Sequence, residues 1–126
     1  MSTAVVLAPS ILVVDARAAY RTHSACLIRN RWPDARIHEA SDAAGALVEA
    51  AEGTTDLVLI DLPHEAGLAL VQRLRESQPK CHMALLADAP TATQTRQAAA
   101  AQVSLFNKPV TGDVIDQVLA LVGWDD

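Results

Sequence analysis

Four short apolar runs, each delivering a charged residue at or just past its end, constrain this chain more than any other feature. Ile11 to Val14 ends at Asp15, and Leu57 to Ile60 ends at Asp61. Met83 to Leu86 ends near Asp88, and Val103 to Phe106 ends just before Lys108. The runs are continuous and rich in branched side chains, as strands buried on both faces are. A weaker run, Arg36 to Glu39, alternates polar and apolar residues and suits an edge strand.

Helical patterns fill the intervals. Tyr20, Leu27 and Ile28 share one face of a segment from about Ala16 to Arg31, which Pro33 ends. Ser41 or Asp42 can cap a second helix with Ala43, Leu47 and Ala50 on its apolar face, closed by Gly53. Leu70, Val71 and Leu74 mark a third helix, and the Ala-rich stretch Thr91 to Ala101 a fourth. Val114, Ile115, Val118, Leu119 and Val122 give the fifth, with the cleanest apolar stripe. Five strand–helix units in alternation imply an α/β fold: a doubly wound, five-stranded parallel sheet with helices on both faces.

The chain's 126 residues amount to one domain, expected to run 1–126 with its core at about 10–122. Aromatics make up 3%, so the core must be aliphatic. A net charge of -5 argues against direct nucleic-acid binding, which needs clustered Lys and Arg, and against an anionic membrane surface. Cys26 and Cys81 match no metal spacing and read as reduced, buried or half-buried thiols of a cytoplasmic protein. The apolar run Ala4 to Ala8 is too short for a signal peptide and lacks a basic flank. Trp32 and Trp124 read as local packing anchors.

In a doubly wound sheet, ligands bind beyond the carboxyl ends of the strands. Those ends carry Asp15, Asp61, Asp88 and Lys108. Converging carboxylates and one lysine suit Mg2+ and an aspartate that accepts a phosphoryl group. The runs Ile11 to Asp15, Asp56 to Leu62 and Phe106 to Pro109 resemble the receiver domains of two-component response regulators. Glu39 to Asp42 with Ala46 and Leu47, the pair Gly67 and Leu68, and Arg73 with Arg75 fit the same alignment. The resemblance implies the (βα)5 flavodoxin-like receiver fold. It makes Asp61 the phospho-acceptor and Lys108 the contact to the acyl phosphate, through a cis peptide bond to Pro109. Asp15, Asp61 and the Pro63 backbone carbonyl become the metal ligands.

The chain also departs from the family pattern. Ala16 stands where a second acidic residue usually ligates the metal directly, so Mg2+ affinity should be weakened. Ala87 replaces the Thr or Ser that bonds the phosphoryl oxygen. Leu105 replaces the aromatic ring that moves with that hydroxyl, and Phe106, one place later, should face the other way. The segment from Leu62 to Gly67 is about two residues shorter than usual by this alignment. His64 sits just past Asp61, where it could sense pH or phosphate. Asp88 reads as a solvated loop residue.

These residues lead to a signalling domain with an incomplete phosphorylation pocket, acting through protein–protein contact or dimerisation. The face built from the fourth helix, fifth strand and fifth helix is where receivers dock. The alternative is a working receiver phosphorylated at Asp61 by a histidine kinase. An enzyme or nucleotide binder is disfavoured, because the turn from Asp15 to Ala19 has no glycine-rich phosphate loop. An output domain beyond this chain, and a histidine kinase or other signalling protein as partner, are implied by the resemblance alone.

Overall fold

The computed structural model describes residues 8–124. Ten elements follow one another in strict alternation: β1 (Ser10–Asp15), α1 (Ala18–Arg31), β2 (Arg36–Ala40), α2 (Ala43–Ala50), β3 (Leu57–Asp61), α3 (His64–Ser77), β4 (His82–Ala87), α4 (Ala92–Ala100), β5 (Ser104–Asn107) and α5 (Gly112–Ala120). The strands form one sheet in the order β2-β1-β3-β4-β5. Every pairing is parallel. This is the flavodoxin-like order, and it reverses between β1 and β3, where Asp15 and Asp61 are register partners.

The alternation of side chains along each strand divides the core into two layers. Leu12, Val14, Val58, Ile60, Met83 and Leu85 point to the face covered by α2, α3 and α4. Ile11, Val13, Leu57, Leu59, Ala84 and Leu86 point to the face covered by α1 and α5. Because both faces are covered, β1 is buried along its whole length. Fully burying a Leu or Ile is worth roughly 1.5–3 kcal/mol, so these interleaved aliphatics carry the fold without an aromatic core. The weaker run is the edge strand β2, largely exposed as its alternation implies.

Most expectations for the elements and their side chains hold, with four corrections. Asp42 caps α2 by accepting the Gly45 N–H at 2.7 Å, but Gly53 does not close that helix. Ala51 ends it in right-handed geometry, and Gly123 is the one glycine with positive φ among the described residues. Tyr20 is 57% exposed rather than on the core face of α1, whose buried residues are Ser24, Ala25 and Ile28. Cys26 is exposed as well, whereas Cys81 is buried, and both are free thiols. Val103 lies just before β5 rather than in it, though it is buried.

Trp32 and Trp124 anchor the α1–α5 layer as expected, with Trp124 Nε1 donating to the Arg31 carbonyl at 3.1 Å. Among the described residues no helix is long and apolar enough to cross a membrane. The run Ala4 to Ala8 lies outside them, apart from Ala8.

Candidate functional site

The reversal of strand order leaves a crevice at the carboxyl edge of the sheet, and β1, β3 and β5 each deliver one charged group to it. Asp15 ends β1 and is 4% exposed. Asp61 ends β3, and Lys108 follows β5 directly. The Lys108–Pro109 peptide is cis. Lys108 Nζ donates to Asp61 Oδ1 at 3.1 Å and to Oδ2 at 3.4 Å. These three residues therefore meet at one edge, as their strand-end positions require.

A fourth charged group joins them that the strand-end pattern does not reveal. Arg17 occupies the N-cap position of α1 in an extended conformation, with no side-chain cap. Its backbone N–H donates to Asp15 Oδ1 at 2.9 Å, a two-residue turn of the kind Asp favours. That turn sends the guanidinium back over the strand ends. Arg17 Nε donates to Asp15 Oδ1 at 3.3 Å, and Nη2 donates to Asp61 Oδ2 at 2.8 Å. The guanidinium lies over the Tyr20 ring, 4.1 Å from its centroid, which accounts for that exposed aromatic. Arg21 completes the turn, donating to the Asp15 carbonyl at 2.7 Å and to Glu39 at 3.0 Å. The sequence signal for Arg17 was a basic residue two places after a strand-end Asp that lacks its usual acidic neighbour.

Opposing influences act on Asp61. Burial pushes its carboxyl above the ordinary range and the Asp15 charge adds to this, while the Lys108 hydrogen bond and the Lys108 and Arg17 charges pull it back. The net direction is upward. The hydrogen bond to Asp15, helped by the nearby carboxylate charges, raises the Arg17 guanidinium further.

Beside these charges lies a cavity of about 370 Å³, lined by Asp61, Pro63, His64, Leu85, Leu86, Ala87, Leu105 and Lys108 among others. Leu105 packs on the α2–α4 side and Phe106 on the α1–α5 side, as alternation along β5 demands. Ala16 is exposed and lines the rim. Asp88 is also exposed at the mouth. Pro63 is the N-cap of α3, and its carbonyl accepts the Gly67 N–H at 2.8 Å. His64, the first residue of α3, reaches across to α4, with Nε2 2.9 Å from Gln97 Oε1.

The comparisons with known proteins agree with this architecture. The family model described as response regulator receiver domain matches residues 11–120. No curated protein matches the chain. A receiver domain protein (CheY-like) from Methanospirillum hungatei is 18% identical, with TM-score 0.80, over 91% of this chain and 94% of that one. The signal receiver domain of an HD domain-containing protein from Pseudomonas fluorescens is 24% identical, with TM-score 0.79, over 91% and 94%. A response regulator protein from Burkholderia pseudomallei, solved with a phosphorylated aspartic acid, calcium ion and citrate, is 21% identical, with TM-score 0.77, over 88% and 66%. Receivers are signalling modules that generally lack enzymatic activity, typically bind Mg2+ at their acidic pocket, and interact with histidine kinases and other signalling proteins. With a family match spanning nearly the whole chain, the same sheet order and a strand-end Asp facing a lysine, this protein belongs to the response regulator receiver domain family.

Proposed function

We propose that this receiver works as a protein-interaction module whose output does not depend on phosphorylation of Asp61. One observation carries the reading: the cavity that joins Asp61 to Ala87 and Leu105 has no hydroxyl side chain and no phenyl or phenol ring on its wall, while Tyr20 and Ser24 line an adjoining cavity that includes neither Ala87 nor Leu105. A phosphoryl group at Asp61 would find Lys108 as counter-charge but no hydroxyl at Ala87 to report its arrival. Leu105 offers no ring to follow such a hydroxyl inward.

The residues present also fit Mg2+ poorly. Mg2+ demands near-ideal octahedral oxygen ligation. Ala16 supplies no carboxylate, and both Asp15 and Asp61 already accept hydrogen bonds from Arg17.

The output then passes through the face of α4, β5 and α5, to a signalling partner or a second copy of the chain. Of the α4 residues only Ala98 is buried, so the helix presents Ala92, Ala99 and Ala100 beside Thr93, Thr95, Arg96 and Gln97 to a partner. The setting is cytoplasmic, as for a partner of histidine kinases, and any effector domain would follow the receiver core at about residue 122.

The test is labelling by a small-molecule phosphodonor with and without Mg2+, paired with the signalling output of Asp61→Asn. The expected results are no Mg2+-dependent incorporation and an unchanged output. Stoichiometric Mg2+-dependent labelling, together with loss of output in Asp61→Asn, overturns the proposal. That second reading, a working phospho-acceptor, draws on the Lys108–Asp61 contact at 3.1 Å and on the phosphorylated aspartic acid of the Burkholderia pseudomallei structure.

A further inference from the structure

We infer that Arg17 is a tethered cation standing in the place of the divalent metal, so that the acidic pocket is complete without one. The inference deepens the proposed function and rests on the same site.

Charge balance is the first argument. Asp15 and Asp61 bring two negative charges to adjacent strand ends. Left alone, two nearly buried carboxylates side by side repel each other, and a compensating charge is needed. Lys108 supplies one positive charge at Asp61, and Arg17 supplies the other between the two carboxylates. The four groups sum to zero, and the site no longer calls for a metal.

The guanidinium is also held in place. The Arg17 N–H to Asp15 Oδ1 bond at 2.9 Å fixes where the side chain starts. Tyr20 lies beneath the guanidinium at 4.1 Å. Its donors then reach both carboxylates at once, at 3.3 Å to Asp15 and 2.8 Å to Asp61. A planar fork of N–H donors suits two carboxylates better than a lysine ammonium would.

Finally, both carboxylates that a metal would need already accept hydrogen bonds from Arg17. A divalent ion entering between Asp15 and Asp61 must displace Arg17 or sit beside its positive charge. Either event opposes metal binding, and Ala16 offers no third carboxylate in compensation.

The test measures Mn2+ binding to the full chain, by electron paramagnetic resonance of free Mn2+ and by the shift in Tm that Mg2+ produces. The wild type should bind Mn2+ weakly and show no Mg2+-induced shift. Arg17→Met keeps an unbranched side chain without the charge, and Arg17→Gln keeps a polar group; both should bind Mn2+ at least ~10-fold more tightly, about 1.4 kcal/mol. Adding Asp61→Asn to either variant should remove that gain, which locates the ion in this pocket.

Wild-type binding as tight as that of the folded variants overturns the inference. So does a pair of folded variants that bind no better than wild type. Phosphodonor labelling separates the two claims. Labelling of the wild type in the presence of EDTA, together with loss of output in Asp61→Asn, would sink the phosphorylation-independent function yet leave Arg17 as the metal's substitute. An unlabelled wild type that binds Mn2+ tightly would do the reverse.

Discussion

Gly67 couples the docking of α3 to the shape of the pocket at Asp61, and a single methyl group should expose the coupling. Gly67 is buried in the first turns of α3, where a Cβ would lie 3.0 Å from Leu85 Cδ2 and 3.7 Å from Ile60 Cγ2. Leu85 is 3% exposed and lines the cavity beside Asp61. Two terms compete in Gly67→Ala. Replacing Gly by Ala inside a helix gains roughly 0.5–1 kcal/mol, whereas overpacking a dense core costs typically 1–3 kcal/mol. At 3.0 Å, Leu85 Cδ2 must give by a few tenths of an ångström, and at 3% exposure the side chain is packed tightly enough that the steric cost should win, with a net loss of about 1 kcal/mol. Leu85→Ala alone should cost about 2–5 kcal/mol as a cavity mutation. In that background the obstructing methyl is gone, so Gly67→Ala should turn stabilising by roughly 0.5–1 kcal/mol. Urea unfolding of the four species closes the cycle, and with m of about 1–3 kcal/mol per M these differences are readily resolved. If Gly67→Ala has the same sign and size with Leu85 and with Ala at that position, the steric coupling drawn here is wrong.

Three further outcomes are expected. Because burial raises the Asp61 carboxyl in the fold, the stability linked to its protonation is fully present below the unfolded value and is lost as pH rises through the folded one. Asp61→Asn should therefore unfold at higher urea than wild type at pH 7, with the gap closing in acid, and a gap that widens in acid contradicts this. Thr91 accepts the Gln94 N–H at 3.1 Å while the Gln94 side chain returns to the Thr91 N–H at 3.0 Å, so Thr91→Ala should cost about 1 kcal/mol by urea unfolding. Alkylation under native conditions should modify Cys26, which is exposed, and spare Cys81, whose thiol burial pushes up to about 12; equal labelling of the two before unfolding would contradict the burial of Cys81.

The parts of this fold that were legible in the sequence are those set by periodicity within one element. A strand buried on both faces is apolar at nearly every position, and the runs ending at Asp15 and Asp61 combine that pattern with strand length and branched side chains. Strand ends in a parallel sheet share an edge, which brings Asp15, Asp61 and Lys108 together without knowledge of any contact. What stayed hidden depends on side-chain reach and helix phase. Arg17 joins the site because the Asp15 turn bends the backbone and β1 pairs in register with β3, and neither is local to its position. Tyr20 fits the apolar pattern of α1 yet serves as a platform for Arg17, so its ring faces solvent. Cys26 sits between Ala25 and Ile28, and at about 100° per residue it turns away from the layer that buries both of them. Asn or Gly after a helix is only a tendency, and at Gly53 the chain simply turns without left-handed geometry.

The helices differ sharply in how firmly they are held, and this bears on where a partner can act. α3 buries Leu70, Val71 and Leu74, and α5 buries Ile115, Val118 and Leu119. α4 buries Ala98 alone. Its integrity rests on the Thr91–Gln94 capping box and on the helix propensity of its alanines, which are local to it, and it is tied to the edge near Asp61 by the His64–Gln97 hydrogen bond at 2.9 Å. Local opening free energy follows the apolar contact an element makes, so α4 is the less firmly anchored of the two helices on the proposed docking face. A partner that supplied apolar surface there would stabilise a helix the sheet holds only lightly, and the energetic gain would be realised at the interface itself. Such an arrangement needs no hydroxyl at position 87 and no ring at position 105, because the responsive element is poised by its own thin packing rather than by a relay from the acidic pocket.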